Sequence, residues 1–313
     1  MSENNRYSAA HKEVIEAARL SIYSNSFLLL IKIFAGLLMG SISVLSEAIH
    51  SGIDLIAALI ANYSIRKAGK PADEVHRFGH GKFENVSGTV EAVLIFAAAL
   101  IILFHAFEKI TKGGEVEYVG AGIFIMGMSA AVNFIVSRRL IKIARKAESI
   151  ALEADAYHLS TDVYTSVGVF IGLVLIRLTG NPIFDPVLAI LIALIILKTS
   201  FDLTKRSLSG LMDVKLSDNE ESIIRSIIAG HYSQYFEYHD LRTRMSGAER
   251  FADLHLVVPK KQHVGDAHRF CDHLEKDIKN KIPNLSILIH IEPCEIGCEE
   301  CKKLDVCRTP DMD

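Results

Sequence analysis

Long apolar runs constrain this chain more than any other feature. A helix that crosses a bilayer needs about 20 mainly apolar residues. Six stretches come near that length: 22–44, 44–63, 86–107, 118–136, 154–175 and 185–203. Half of the 313 residues are hydrophobic, which is too apolar for an ordinary soluble domain. "LMGSIS" joins the first two stretches tightly, so they should be antiparallel neighbours. "LTGNPIFDP" separates the last pair with Gly and Pro, which break helices. Arg66, Lys67, Lys70, Arg77 and Lys82 follow the second stretch, and Arg138, Arg139, Lys142, Arg145 and Lys146 follow the fourth. The opposite side has only Lys109, Lys112 and Arg177. Positive loops stay in the cytoplasm. Six spans then place both termini there, in a lipid-embedded protein of the cell (inner) membrane. The segment 1–20 is polar and lacks the apolar core of a cleaved signal, so it should be retained.

The formal net charge of -3 argues against a nucleic-acid binder held by bulk charge. After Lys205 the character changes. "LSDNEESIIRSIIAGH" opens with Ser217 and Asp218 as caps and acids in the first turn. "HDLRTRMSG" and "RFADLHLVV" read as paired strands, "DAHRFCDHLEKDIKNKI" as a helix, and "LSILIHIEP" as a strand. The order αββαβ predicts a ferredoxin-like α+β domain over 211–293, below a transmembrane domain over 1–210. A Cys-rich tail covers 294–313. All five Cys lie after Phe270, a distribution that fits a reduced compartment better than a disulfide framework.

Two spans carry chemistry that lipid does not want. "HSGID" gives His50 and Asp54, and "HLSTD" gives His158 and Asp162. Residues four apart share a helix face, so each pair presents an imidazole beside a carboxylate. Two nitrogens and two oxygens suit tetrahedral Zn²⁺ and suit Ca²⁺ or Mg²⁺ poorly. A carboxylate in hydrocarbon costs about 2.5–3.5 kcal/mol on insertion scales, so such residues are functional by default. Asn25, Asn62 and Asn133 read instead as helix-packing hydrogen bonds. Glu47 and Glu91 have no evident role.

The HxxxD pairs, the loop "KPADEVHRFGHGKFE", and "HDLRTRMSG" with "IHIEP" together resemble the cation diffusion facilitators, a family of divalent-metal efflux transporters. The resemblance runs from the first span through the α+β domain. It implies a homodimer, alternating access and exchange of metal for protons, with no enzymatic step. It implies a transport site at His50, Asp54, His158 and Asp162. His rather than Asp at position 50 resembles zinc-selective members, without excluding Fe²⁺, Mn²⁺, Co²⁺ or Cd²⁺. A second metal site is implied at Asp73, His76 and His80, although a solvated loop with incidental histidines reads equally well. The resemblance also pairs Lys82 with Asp213 at the dimer seam, where Lys82 alone would read as one more inside-positive charge.

In the α+β domain, strand parity puts His255, His290 and Glu292 on one polar sheet face. The family binds metal at positions matching these three, His239 and His268. Glu292 stands where Asp is often seen. His231, His263 and His273 read as ordinary surface histidines, and Cys271 as a packed helix residue. The tail residues Cys294, Cys298, Cys301 and Cys307 suit a Cys₄ zinc site, an iron–sulfur cluster or free thiols. Two rival functions bracket the expectation. A membrane metallohydrolase would need an open coordination position and a general base. A sensor that never transports would have no use for the membrane quartet.

Overall fold

The computed structural model describes residues 3–39, 42–112, 120–181 and 183–295. The chain divides after Leu211 into two compact units. Among the described residues, six helices build the first: α1 (Glu3–Met39), α2 (Ile42–Ala68), α3 (Lys82–Lys112), α4 (Gly120–Ala147), α5 (Ile150–Thr179) and α6 (Phe184–Leu211). Among the described residues, five candidate spans occur: His11–Leu38, Ala48–Ala68, Lys82–Thr111, Ile150–Ile176 and Pro186–Leu211. The remaining helix, α4, ends in the basic run from Arg138 to Lys146, and the side chains of its first turns lie outside the described residues.

The first span begins earlier than its apolar run suggested. Polar residues through Arg19 belong to the same continuous helix. The cause is an inward stripe of Val14, Ala17, Ala18 and Ser21, spaced three and four apart and buried. Val14, Ala17 and Ala18 pack in one cluster with Val136, Leu140 and Ala144 of α4 and with Ala151 and Leu152 of α5. These interiors are small-residue interiors, which let helix backbones approach closely. Large apolar groups such as Phe27, Phe34, Phe104 and Phe107 point outward instead, the pattern expected of a surface that meets lipid.

The ends of α5 are written locally. Glu148 takes a positive φ of 55° after α4 ends, and Ser149 caps α5 by accepting from Leu152 N. Gly180 ends it at φ 71°, donating to Ile176 O at 2.7 Å. That left-handed turn is the ordinary reason for a glycine after a helix.

The second unit contains α7 (Asp218–Gly230), β1 (Glu237–Ser246), β2 (Glu249–Val258), α8 (Val264–Lys281) and β3 (Leu285–Pro293). The expected αββαβ order is observed. A reciprocal capping box between Ser217 and Glu220 starts α7. The sheet has the order β1-β2-β3, with β1 antiparallel and β3 parallel to β2. Leu254, Leu256, Val258 and Ile287 face the core with Ile224 and Ile228 of α7 and Phe270, Cys271, Leu274 and Ile278 of α8. Both helices therefore cover one sheet face and leave the other polar.

Candidate metal sites

In the first unit the two HxxxD pairs converge. His158 Nε2 lies 2.9 Å from Asp54 Oδ1. His50 Nε2 lies 3.9 Å from that same oxygen and 3.6 Å from Asp162 Oδ1. Zn–N and Zn–O bonds of about 2.0–2.1 Å imply ligand–ligand edges of about 3.3 Å in a tetrahedron. The observed separations bracket that length. Asp54 and His158 are buried, whereas the His50 side chain is half exposed. The site thus has a closed side and an open side.

Several groups around this quartet escaped the sequence reading. Asn133 Nδ2 donates to Asp162 Oδ2 at 3.2 Å, so it orients a carboxylate as well as packing a helix. Asn25 Nδ2 donates to the Asp54 carbonyl at 3.5 Å. Lys32, a cation in mid-α1, donates to Ser51 at 2.8 Å, beside His50. Asp155 sits one turn before His158 and accepts from Ser21 at 3.1 Å. Glu91 is buried, has no hydrogen bond at either carboxylate oxygen, and lies within electrostatic range of Asp155. Asn25, Asn133 and Glu91 stood out in the sequence as polar groups within spans, but their places around the quartet were set by other helices. The side chain of Glu47 lies outside the described residues.

The loop histidines also meet their carboxylate. His76 Nδ1 is 3.3 Å from Asp73 Oδ1, and His80 Nε2 is 3.2 Å from Asp73 Oδ2. The two rings lie 4.5 Å apart. Asp73 Oδ1 accepts from the backbone N–H groups of His76 at 2.6 Å and Val75 at 3.0 Å. The His76 amide is the main reason that this carboxyl is held below its ordinary range, with desolvation opposing and the Val75 bond and the nearby imidazoles adding to it. His80 is buried, whereas Asp73 and His76 are exposed. At the neighbouring positions, Lys82 Nζ donates to Leu211 O at 3.4 Å. In the second unit, Asp213 accepts from Arg244 at 3.3 Å.

On the open sheet face, His239, His255 and His290 stand in register across all three strands. Glu292 ties them together. Its Oε2 is 3.1 Å from His239 Nε2, and its Oε1 is 2.8 Å from His255 Nδ1 and 3.7 Å from His290 Nε2. The bond to His255 leads in holding the Glu292 carboxyl below its usual value; desolvation opposes it and the His239 bond assists. His239 is held above the usual imidazole value. Its desolvation works against that, and the bonds to Glu292 and Asp240 outweigh it.

His239 reaches this face through a β-bulge. Between His239 and Arg242 the register slips, and Asp240 takes φ 51°. The extra residue reverses the alternation, so His239 and Arg242 share a face despite their odd spacing. Within the chain, His268 does not join the row. Its Nε2 lies 3.6 Å from Asp272, on the helix that covers the opposite sheet face. Cys271 packs in the core as expected, and the Cys294 side chain is buried. Cys298, Cys301 and Cys307 lie outside the described residues. His231 and His273, read as plain surface groups, instead gather around Asp277.

Comparisons with known proteins agree with this architecture. The family model for the cation efflux transmembrane domain matches residues 18–212, and that for the cation efflux protein cytoplasmic domain matches 216–294. An uncharacterized transporter of Synechocystis sp., sll1263, is 34% identical over 85% of this chain and 86% of that protein. The cation-efflux pump FieF of Yersinia enterocolitica is 31% identical over 93% of this chain and 96% of the relative. A solved chain from work on the transporter CzrB is 38% identical, covering 25% of this chain and 98% of its own, at a TM-score of 0.25. That last score is too low to speak for the overall fold. Two family models together spanning most of the sequence, and relatives aligned along nearly its full length, establish that the chain belongs to the cation diffusion facilitator family of divalent-metal efflux transporters.

Proposed function

We propose that this chain exports Zn²⁺ from the cytoplasm in exchange for protons, as a homodimer that alternates between inward-facing and outward-facing states. The observation that carries the proposal is the convergence of His50, Asp54, His158 and Asp162 in the membrane unit. Two imidazole nitrogens and two carboxylate oxygens favour Zn²⁺ over harder cations. Fe²⁺, Mn²⁺, Co²⁺ and Cd²⁺ are the alternative cargoes.

The 2.9 Å contact from His158 Nε2 to Asp54 Oδ1 has hydrogen-bond length. A proton therefore occupies the line between two atoms that would both bind the metal. An arriving cation must displace it, and a proton arriving from the other side competes the cation off. The cargo and its counter-substrate thus share ligands. A permanently structural zinc is disfavoured, because no cysteine lies in a span and the His50 side is open.

The reading extends to the rest of the molecule. The basic loops support cytoplasmic termini. The Asp73, His76 and His80 cluster suits a second cytoplasmic metal. The row of His239, His255, His290 and Glu292 suits a regulatory one, with His268 left as a family-derived candidate. Lys82 and Asp213 are proposed to pair at the protomer seam, and the Cys tail to add a further metal ligand set. The division into 1–210, 211–293 and 294–313 belongs to the same proposal. The test is Zn²⁺ flux into sealed proteoliposomes by Asp54→Ala and Asp162→Ala proteins that insert normally. Both should lose flux; near-normal flux in both would exclude the quartet as the transport site.

A further inference from the structure

The second unit holds another group of potential ligands on its helical side. His231 closes α7 as its C-cap, and His273 and Asp277 lie four apart on α8. Their helices pack together against the sheet through Ile224, Ile228, Phe270, Leu274 and Ile278. His231 Nε2 lies 3.4 Å from Asp277 Oδ2, and His273 Nε2 lies 3.6 Å from the same oxygen. One ligand atom from each residue falls within 4.8 Å of the others.

The other nitrogen of His231 decides what this means. Nδ1 stands 2.9 Å from the Ile227 carbonyl oxygen. A carbonyl only accepts, so Nδ1 carries the proton. In the neutral imidazole, Nε2 is then a bare lone pair aimed at a carboxylate oxygen. Two acceptors do not face each other without a cation between them. Donation of the second ring N–H to a backbone carbonyl is also how metal-binding imidazoles are oriented. The ring is held in place by Phe270 at 6.0 Å and by the His273 ring at 5.5 Å.

The distances point the same way. Both N···O separations exceed the 2.7–3.2 Å usual for a hydrogen bond. They lie close to the edge of about 3.3 Å expected between ligands of one tetrahedral Zn²⁺. The simpler alternative is a protonated His231 at the C-terminal end of α7, ion-paired to Asp277, which the helix dipole would favour. That arrangement explains one short contact. The four-residue spacing on α8 already sets His273 beside Asp277; what helix geometry alone does not bring about is the arrival of His231 from α7 at that same oxygen.

We infer that His231, His273 and Asp277 form a site for a borderline divalent cation such as Zn²⁺ or Co²⁺, clipping the end of α7 to the middle of α8. Three protein ligands leave a fourth position for water. The His239, His255 and His290 row lies on the opposite face of the sheet, so the two sites load separately.

The test uses Co²⁺ as the probe on the full chain in detergent. Bound Co²⁺ is counted by equilibrium dialysis, and its tetrahedral visible bands are recorded. His273→Gln changes an exposed side chain and Asp277→Asn a half-exposed one, so folding is not at stake. Each should bind one Co²⁺ fewer per chain and lose part of the visible absorbance. The His255→Ala, His290→Ala protein should keep that increment. Unchanged counts and spectra in His273→Gln and Asp277→Asn would overturn the site. Loss of the same single ion in those variants and in the row variant would overturn its independence.

Discussion

Asn133→Ala probes the transport site from one step away. Asn133 is buried and donates 3.2 Å to Asp162 Oδ2, which leaves Oδ1 turned toward His50 Nε2 at 3.6 Å. Without the amide, the carboxylate loses the bond that fixes its rotation. Removing a partner of this kind costs about 10–100-fold in metal affinity at sites of known chemistry. That is about 1.4–2.8 kcal/mol. The loss falls on binding before it falls on movement of the loaded site, so KM for Zn²⁺ should rise by that factor with kcat little changed. The assay is initial Zn²⁺ uptake by proteoliposomes over a range of Zn²⁺ concentrations. Asn62→Ala is the control, because Asn62 is equally buried in a span but its side-chain nitrogen makes no hydrogen bond. An unchanged KM in Asn133→Ala, or an equal rise in both variants, would refute the reasoning.

His50→Asp exchanges a borderline nitrogen for an oxygen and relaxes the demand for a compact tetrahedron, so it should raise the Cd²⁺-to-Zn²⁺ uptake ratio; an unchanged ratio in the same vesicles would count against His50 as a ligand. In the soluble unit, Zn²⁺ at a hundredfold excess over Kd should add about 2.7 kcal/mol of stability. Thermal unfolding of the full chain in detergent should show that shift, and His255→Ala, His290→Ala should remove it. The same row should bind Zn²⁺ more weakly as pH falls. His239 is held above the usual imidazole value, so its proton persists to higher pH than an isolated imidazole's and competes with the metal there. Its apo ion pair with Glu292 stabilises the fold at low pH and is lost as pH rises through the raised value, the opposite direction from the metal. Zn²⁺ affinity flat by equilibrium dialysis from about pH 5.5 to 7.5, about one unit either side of the imidazole reference, would contradict that competition.

Much of the architecture was legible because its signals are periodic. Apolar length marked the membrane helices, and period-two alternation with Ser217 and Gly247 marked the soluble domain. The HxxxD spacing placed each imidazole beside its carboxylate before any tertiary information. What sequence could not give were features set by a second element. The inward stripe of Val14, Ala17 and Ala18 lengthened the first span, since only packing reveals that a charged turn continues a buried face. The bulge at Asp240 moved His239 to the polar side, a reversal that strict alternation cannot anticipate. His268 was carried over by resemblance and stands instead beside Asp272. His231 looked solitary because 41 positions separate it from His273 of α8, a gap closed only by helix packing.

The exchange of metal for protons is tested most directly by paired flux in sealed proteoliposomes. The lumen carries a pH-sensitive dye and a Zn²⁺-sensitive dye, and no membrane potential is imposed. Zn²⁺ entering through the protein should be matched by protons leaving, so the lumen should become alkaline in proportion to the Zn²⁺ taken up. An imposed proton gradient, acid inside, should drive Zn²⁺ uptake against its own gradient. Asp54→Ala should abolish both signals together. Zn²⁺ uptake with no change in lumenal pH, unaffected by the imposed gradient, would contradict the account.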